Sequence, residues 1–321
     1  MICSRDKKVS MRTPTLLTLS LACTFVWAQE TRKPEVVSPL GKSYYAKTAD
    51  DKVDAAEKAL AEKPDDPDRL IAVGRAYDGV LQFSRSIPLY TRVIKALPND
   101  VRAYRYRGHR YISTRRFKEA LEDLGKAEKI APDSFDVLYH LALAQYLSRR
   151  FGEAADSYGR CLDYTGKKSG KMPSDWRSCA DLDDDSRVAM LNWRYAALRR
   201  AGRTEQARKL LDSVHEGLAL KENVAYLQAL LFYKGERKED VFETSKLTGS
   251  SLMALGYPIA NFALINGDTA KACALFHKLV SDDETWNAFG FIAAEVELSR
   301  PGSPCNARQH DAGTMRSLSD R

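Results

Sequence analysis

Few residues in this chain are spaced to do chemistry. The five histidines, His109, His140, His215, His277 and His310, stand singly. An imidazole without a carboxylate or metal partner is far more often an ordinary core or surface residue than a catalyst. The acidic run Asp181, Asp183, Asp184 and Asp185 has the density of a calcium loop. Ser186 nevertheless occupies the position where that loop needs glycine, and Asn192 the position of its terminal glutamate. These aspartates are expected instead to cap, and to compensate the dipole of, a helix that starts near Ser186. No GxSxG, HExxH, P-loop or strand-associated GxGxxG motif occurs, so no catalytic residue, metal or cofactor is expected.

Cysteine is the remaining reactive type. Cys161, Cys179, Cys273 and Cys305 lie beyond the N-terminal region, without CxxC or zinc-ligand spacing. In an oxidising compartment four cysteines allow three pairings. Cys161 with Cys179 would tie a polar loop to a helix, a closure worth about 3 kcal/mol in the chain-entropy model. The alternative for Cys161 is a free thiol in a small core position.

The elements that must position such residues are helical. Arg5, Lys7, Lys8 and Arg12 precede an apolar run from Leu16 to Ala28, with Val26-Trp27-Ala28 before Gln29. This pattern predicts an export signal over residues 1–28, and the run is too short to span a bilayer stably. Acylation at Cys23, after Leu21-Ala22, is the minority alternative for membrane attachment. Loss of residues 1–28 lowers the net charge from +7 to +4, so the basic composition does not imply a nucleic-acid partner. Residues 29–48 carry Pro, Gly and Ser breaks and predict a linker. Residues 49–66 predict a capping helix.

From Pro67 a pattern recurs at a fixed step. Tyr104, Gly108, Tyr111, Ala120, Leu124, Ala127 and Pro132 define one copy; Gly74, Tyr77, Tyr90 and Pro98 precede it in phase, and Leu138, Ala142, Ala154 and Tyr158 follow it. Gly108 and Ala120 are expected to face each other where two helices cross. Residues 169–186 read as an insertion. Residues 187–299 read as divergent helix pairs closed by a lone amphipathic helix, WNAFGFIAAEVEL, and residues 300–321 as a mobile tail. Pro258 should kink its helix or mark the helix start.

On these residues the chain resembles the tetratricopeptide family, whose repeat is a 34-residue pair of antiparallel helices. The resemblance is specific over residues 67–168 and looser over 188–299, and the whole resembles exported bacterial members of unassigned role. It implies an all-α solenoid of about six helix pairs with capping helices. It further implies a concave groove, lined by the first helix of each pair, that takes protein partners or extended peptides without catalysis. Family groove positions fall on Ile71, Arg75 and Asp78; on Arg102, Arg105 and His109; on Asp136, Tyr139, Leu143 and Tyr146; and on Asn192, Arg199 and Arg200. Arg75, Arg102 and Arg105 would form a basic stretch beside a more aromatic one, suiting a partner with carboxylates next to an apolar side chain. The Lys and Asn of chaperone-binding members are replaced by Ile71 and Arg75, so that ligand class is not implied. The function expected is a partner-binding adaptor of the cell envelope. An enzyme with a site between residues 165–186 and the groove, and a self-associating structural module, are the alternatives.

Overall fold

The computed structural model describes residues 33–170, 172–238 and 240–306. The expected export signal, Cys23 and residues 307–321 lie outside the described residues.

Three helix pairs repeat in register. Helices α2 (Pro67–Gly79), α4 (Val101–Ser113) and α6 (Phe135–Leu147) alternate with α3 (Phe83–Ala96), α5 (Phe117–Ile130) and α7 (Phe151–Leu162). Corresponding helix starts lie 34 residues apart, the step of the tetratricopeptide repeat. Before each first helix, a side-chain oxygen of Asp66, Asp100 or Ser134 caps free backbone N–H groups of the opening turn. Asp50 caps α1 (Asp51–Glu62) in the same way.

The turn inside each pair is also reproduced. Leu81, Arg115 and Arg149 adopt left-handed backbone with φ of 59°, 61° and 63°. The following N–H groups of Gln82, Arg116 and Arg150 bond back to the carbonyls of Tyr77, Tyr111 and Gln145 at 2.9, 2.8 and 2.9 Å. A side chain in that region costs about 1–2 kcal/mol, so three such residues mark turns held firmly by their surroundings. The later pairs relieve the strain with Gly202, Gly235 and Gly267, which end α8 (Asp184–Arg200), α10 (Val224–Lys234) and α12 (Gly249–Ile265).

The second helices shrink along the chain. α9 (Thr204–Leu210) has 7 residues and α11 (Val241–Thr244) has 4, against 14 in α3 and α5. α13 (Thr269–Leu279) recovers to 11 residues, and α14 (Phe289–Ser299) closes the series. α12 runs through Pro258 instead of starting there. Among the described residues the architecture is all-α apart from one two-stranded ribbon.

Three sequence expectations are corrected. Residues 33–48 are not a linker: β1 (Val36–Val37) pairs antiparallel with β2 (Ser43–Tyr44), and Tyr44 is 2% exposed. Its aromatic ring has a hydrophobic site to fill against Trp286 and Phe291, which docks the ribbon. Residues 300–306 are not loose: a short helical turn at Pro304–Asn306 is held by a Cys273–Cys305 disulfide. At Gly108, the atom a Cβ would strike is Leu124 Cγ at 2.6 Å, not Ala120. Gly74 stands in the same relation to Tyr90 one repeat earlier, also at 2.6 Å.

Candidate functional site

The face formed by the first helices divides into two regions. Over α4 and α6 it is covered by later parts of the chain: Tyr226 of α10, Tyr257 of α12 and the start of the C-terminal helix α14. Phe289, at the start of α14, lies 5.2 Å from the His109 ring, 5.9 Å from His140 and 6.2 Å from Tyr139. Farther along α14, Glu295 is 0% exposed and Glu297 3% exposed. A buried carboxylate must find cations and donors in the protein. Glu295 receives Arg115 Nε at 2.8 Å and the Tyr44 hydroxyl at 2.9 Å. Arg115 also donates to the Trp286 carbonyl at 2.8 Å. Glu297 meets Arg200 at 2.9 Å and Arg300 at 3.0 Å, with Arg149 at 3.9 Å. The two left-handed turn residues Arg115 and Arg149 are thus arms that reach α14.

Burial sets the protonation of this region. His109 and His140, with ring centroids 4.3 Å apart, are held well below the usual imidazole range, first by burial and then by neighbouring positive charge. The cations concerned are Arg105 and Arg110 for both rings, and His140 bonds back to the Asp136 carbonyl. Burial likewise pulls Arg115 below its ordinary range, with Glu295 opposing the shift. Tyr146 is pushed up to about 12 by burial, and its hydroxyl lies 2.9 Å from that of Tyr257.

The second region is open. Arg75 is exposed, rests 5.4 Å over the Tyr106 ring, and makes no ion pair among the described residues. Arg105 lies 5.1 Å from the same ring and pairs with Asp136 at 2.8 Å. Arg102 is occupied by Asp100 at 2.6 Å and Asp68 at 2.7 Å. Beside Arg102 a hollow of about 560 Å³ opens between the α3–α4 loop and the insertion. Leu97, Pro98, Val101, Met172 and Pro173 supply its apolar wall. Leu97 is 44% exposed at the edge of this hollow.

Of the thirteen groove residues expected from sequence, therefore, Arg75 alone is exposed and unpaired among the described residues. Arg102 and Arg105 are spent on aspartates, and His109 is covered by Phe289. Tyr139, Leu143 and Tyr146 are 7%, 0% and 2% exposed and serve as core, because α14 and the helices around it fill the space in front of them. Asn192 is also buried, with neither amide atom hydrogen-bonded among the described residues. Arg199 bonds Asn266 at 2.9 Å, and Arg200 holds Glu297.

The insertion is docked. Cys161 and Cys179 form a disulfide, one of the two alternatives the sequence left open for Cys161. Backbone bonds Cys179 N–H to the Asp133 carbonyl at 2.8 Å and Phe135 N–H to the Arg177 carbonyl at 3.1 Å hold its end to α6. Trp176 lies edge-on to Tyr106 at 5.9 Å, so insertion and groove pack together there. In the acidic run Asp183 caps α8 as expected. Asp185 does something the sequence did not suggest: it accepts backbone N–H groups of Lys221, Glu222 and Asn223 at 2.9, 3.0 and 2.8 Å. Burial would raise that carboxyl, but the three donors hold it below its ordinary range. No group of three or more His, Cys, Asp or Glu side chains arranged to hold a metal occurs among the described residues.

Sequence reasoning missed Arg115, Glu295 and Trp176. A glutamate in the middle of the apolar string FGFIAAEVEL was the available signal, since a charge on a buried face requires a partner.

No family model matches the chain, and no curated protein does. Among solved structures it is similar to a tetratricopeptide repeat protein from Parabacteroides merdae, with 14% identity over 75% of this chain and 90% of that one, at a TM-score of 0.47. It is also similar to YrrB, described as a TPR protein with an unusual peptide-binding site. That match has 16% identity over 69% of this chain and 97% of that one, at a TM-score of 0.43.

Proposed function

We propose that this chain is a non-catalytic scaffold that binds a protein or extended peptide at the open end of its first-helix face, as an adaptor in the cell envelope. The observation that carries the reading is the hollow of about 560 Å³ beside Arg102, with an apolar wall and an exposed Leu97, on a first-helix face where α2 also presents the exposed Arg75. A partner segment with an aliphatic or aromatic side chain next to a carboxylate satisfies both features. Two disulfides support the export reading, because such bonds persist in oxidising compartments.

The test is a selection from a displayed peptide library on the wild type, followed by affinity measurements on Arg75→Glu and Leu97→Asp. Selected peptides should be acidic and apolar, and each variant should weaken them by about tenfold, the equivalent of 1.4 kcal/mol. Peptides that bind wild type and both variants equally would place recognition elsewhere.

A further inference from the structure

The shortening of α9 leaves a second hollow, on the side of α8 that faces the second helices. In the first three pairs this space is filled by helices of 14, 14 and 12 residues. α9 stops after 7 and passes into a single turn at Leu211–Ser213. What remains between the end of α7, α8 and α9 is a hollow of about 420 Å³. Leu191 and Leu198 form part of its lining, both buried, and Arg187, Arg194, Arg203 and Lys209 surround them.

The charges there do not balance. Arg194 pairs with Asp163 at 3.0 Å, and Arg203 with Asp156 at 2.6 Å. Arg187 and Lys209 have no carboxylate partner among the described residues. Two positive charges without a carboxylate partner thus line one concavity, beside the paired Arg194 and Arg203. Charge-assisted donors in a recess, where solvent screening is weaker than on an open face, suit a compact multivalent anion.

We infer that this hollow binds a ligand carrying a phosphate group of at least two negative charges, whether a small soluble molecule or the headgroup of a lipid. Arg187 and Lys209 supply the free charges, with Arg194 and Arg203 beside them in the same lining. The site is separate from the proposed peptide hollow at the α3–α4 loop and stands or falls independently of it.

The test uses the full chain, with its disulfides intact, and inorganic pyrophosphate as the probe, followed by calorimetric titration at physiological ionic strength. Wild type should bind saturably, and Arg187→Glu combined with Lys209→Glu should weaken binding by about tenfold or more, since each reversal replaces an attraction with a repulsion. Lys118→Glu combined with Lys126→Glu makes the same change of net charge on α5 and should leave binding unaltered. If the first variant loses the helical circular-dichroism signal, Arg187→Gln with Lys209→Gln replaces it and should weaken binding in the same direction. Vesicles of phosphatidylcholine with and without phosphatidic acid separate the two sources. Retention by the acidic vesicles that pyrophosphate competes away identifies a headgroup, whereas pyrophosphate binding without vesicle retention identifies a soluble ligand. No saturable pyrophosphate binding by wild type, or equal loss in the α5 control, overturns the proposal.

Discussion

Arg75 on α2 and Tyr139, Leu143 and Tyr146 on α6 occupy groove positions of the same repeat pattern, yet one end of that face meets solvent and the other is interior. Arg75 is exposed, whereas Leu143 is 0% exposed. The difference lies in what stands in front of each helix. Phe289 of α14, Tyr226 of α10 and Tyr257 of α12 stand against the α6 side chains, whereas Arg75 on α2 is left exposed. A repeat dictates which way a side chain points, and the rest of the chain determines whether that direction leads to water.

The sharpest way to break this contrast is to unseat α14. Glu295→Ala leaves Arg115 buried without its carboxylate and should destabilise the protein by about 3–5 kcal/mol, read as a shift in the urea midpoint. Arg115→Leu with Glu295→Leu should cost less than either single change, since it removes both charges together. A double variant as damaged as the sum of the singles would show that the two residues do not act as a pair.

Acid attacks the same region through His109 and His140. Both are neutral in the fold with depressed pKa values, whereas the unfolded chain takes up their protons as pH falls past 6.5. Their contribution is therefore complete above that pH and is lost below it, by up to about 1.4 kcal/mol per imidazole for each pH unit. Unfolding midpoints measured from pH 7 to pH 5 should fall for wild type. The slope should flatten in the His109→Gln, His140→Gln variant.

Away from α14, Gly108→Leu should cost about 1–3 kcal/mol or more by forcing α4 from Leu124, detected as a lowered thermal midpoint. At the open end, Arg75→Ala should change stability by less than about 0.5 kcal/mol. A larger effect would mean that Arg75 supports the fold and is not available to a partner.

Much of this architecture was legible in the chain. The phased Gly, Ala and Tyr residues announced the pairing, and the structure adds Asp66, Asp100 and Ser134 as caps of the first helices. These signals are local: a cap acts on its own turn, and a small residue acts on the helix that immediately follows. The Cys161–Cys179 bond was legible only as one of two alternatives, the other being a free thiol at Cys161, and the structure forms it across 18 residues. The fate of the arginines was not. Arg102 and Arg105 carry the same charge as Arg75, and only geometry reveals that Asp68, Asp100 and Asp136 neutralise them. The segment 33–48 looked like a linker because its determinant, Tyr44 bonded to Glu295, lies 251 residues away.

The amino-acid sequence by itself therefore determined the helix pairs and their period, because capping, turn conformation and hairpin packing are interactions between near neighbours in the chain. Tertiary structure alone decided which groove residues remain available. The apolar side of α14 packs with α12 and α13, and where Glu295 and Glu297 are buried there they meet Arg115 and Arg200, residues far away in the chain.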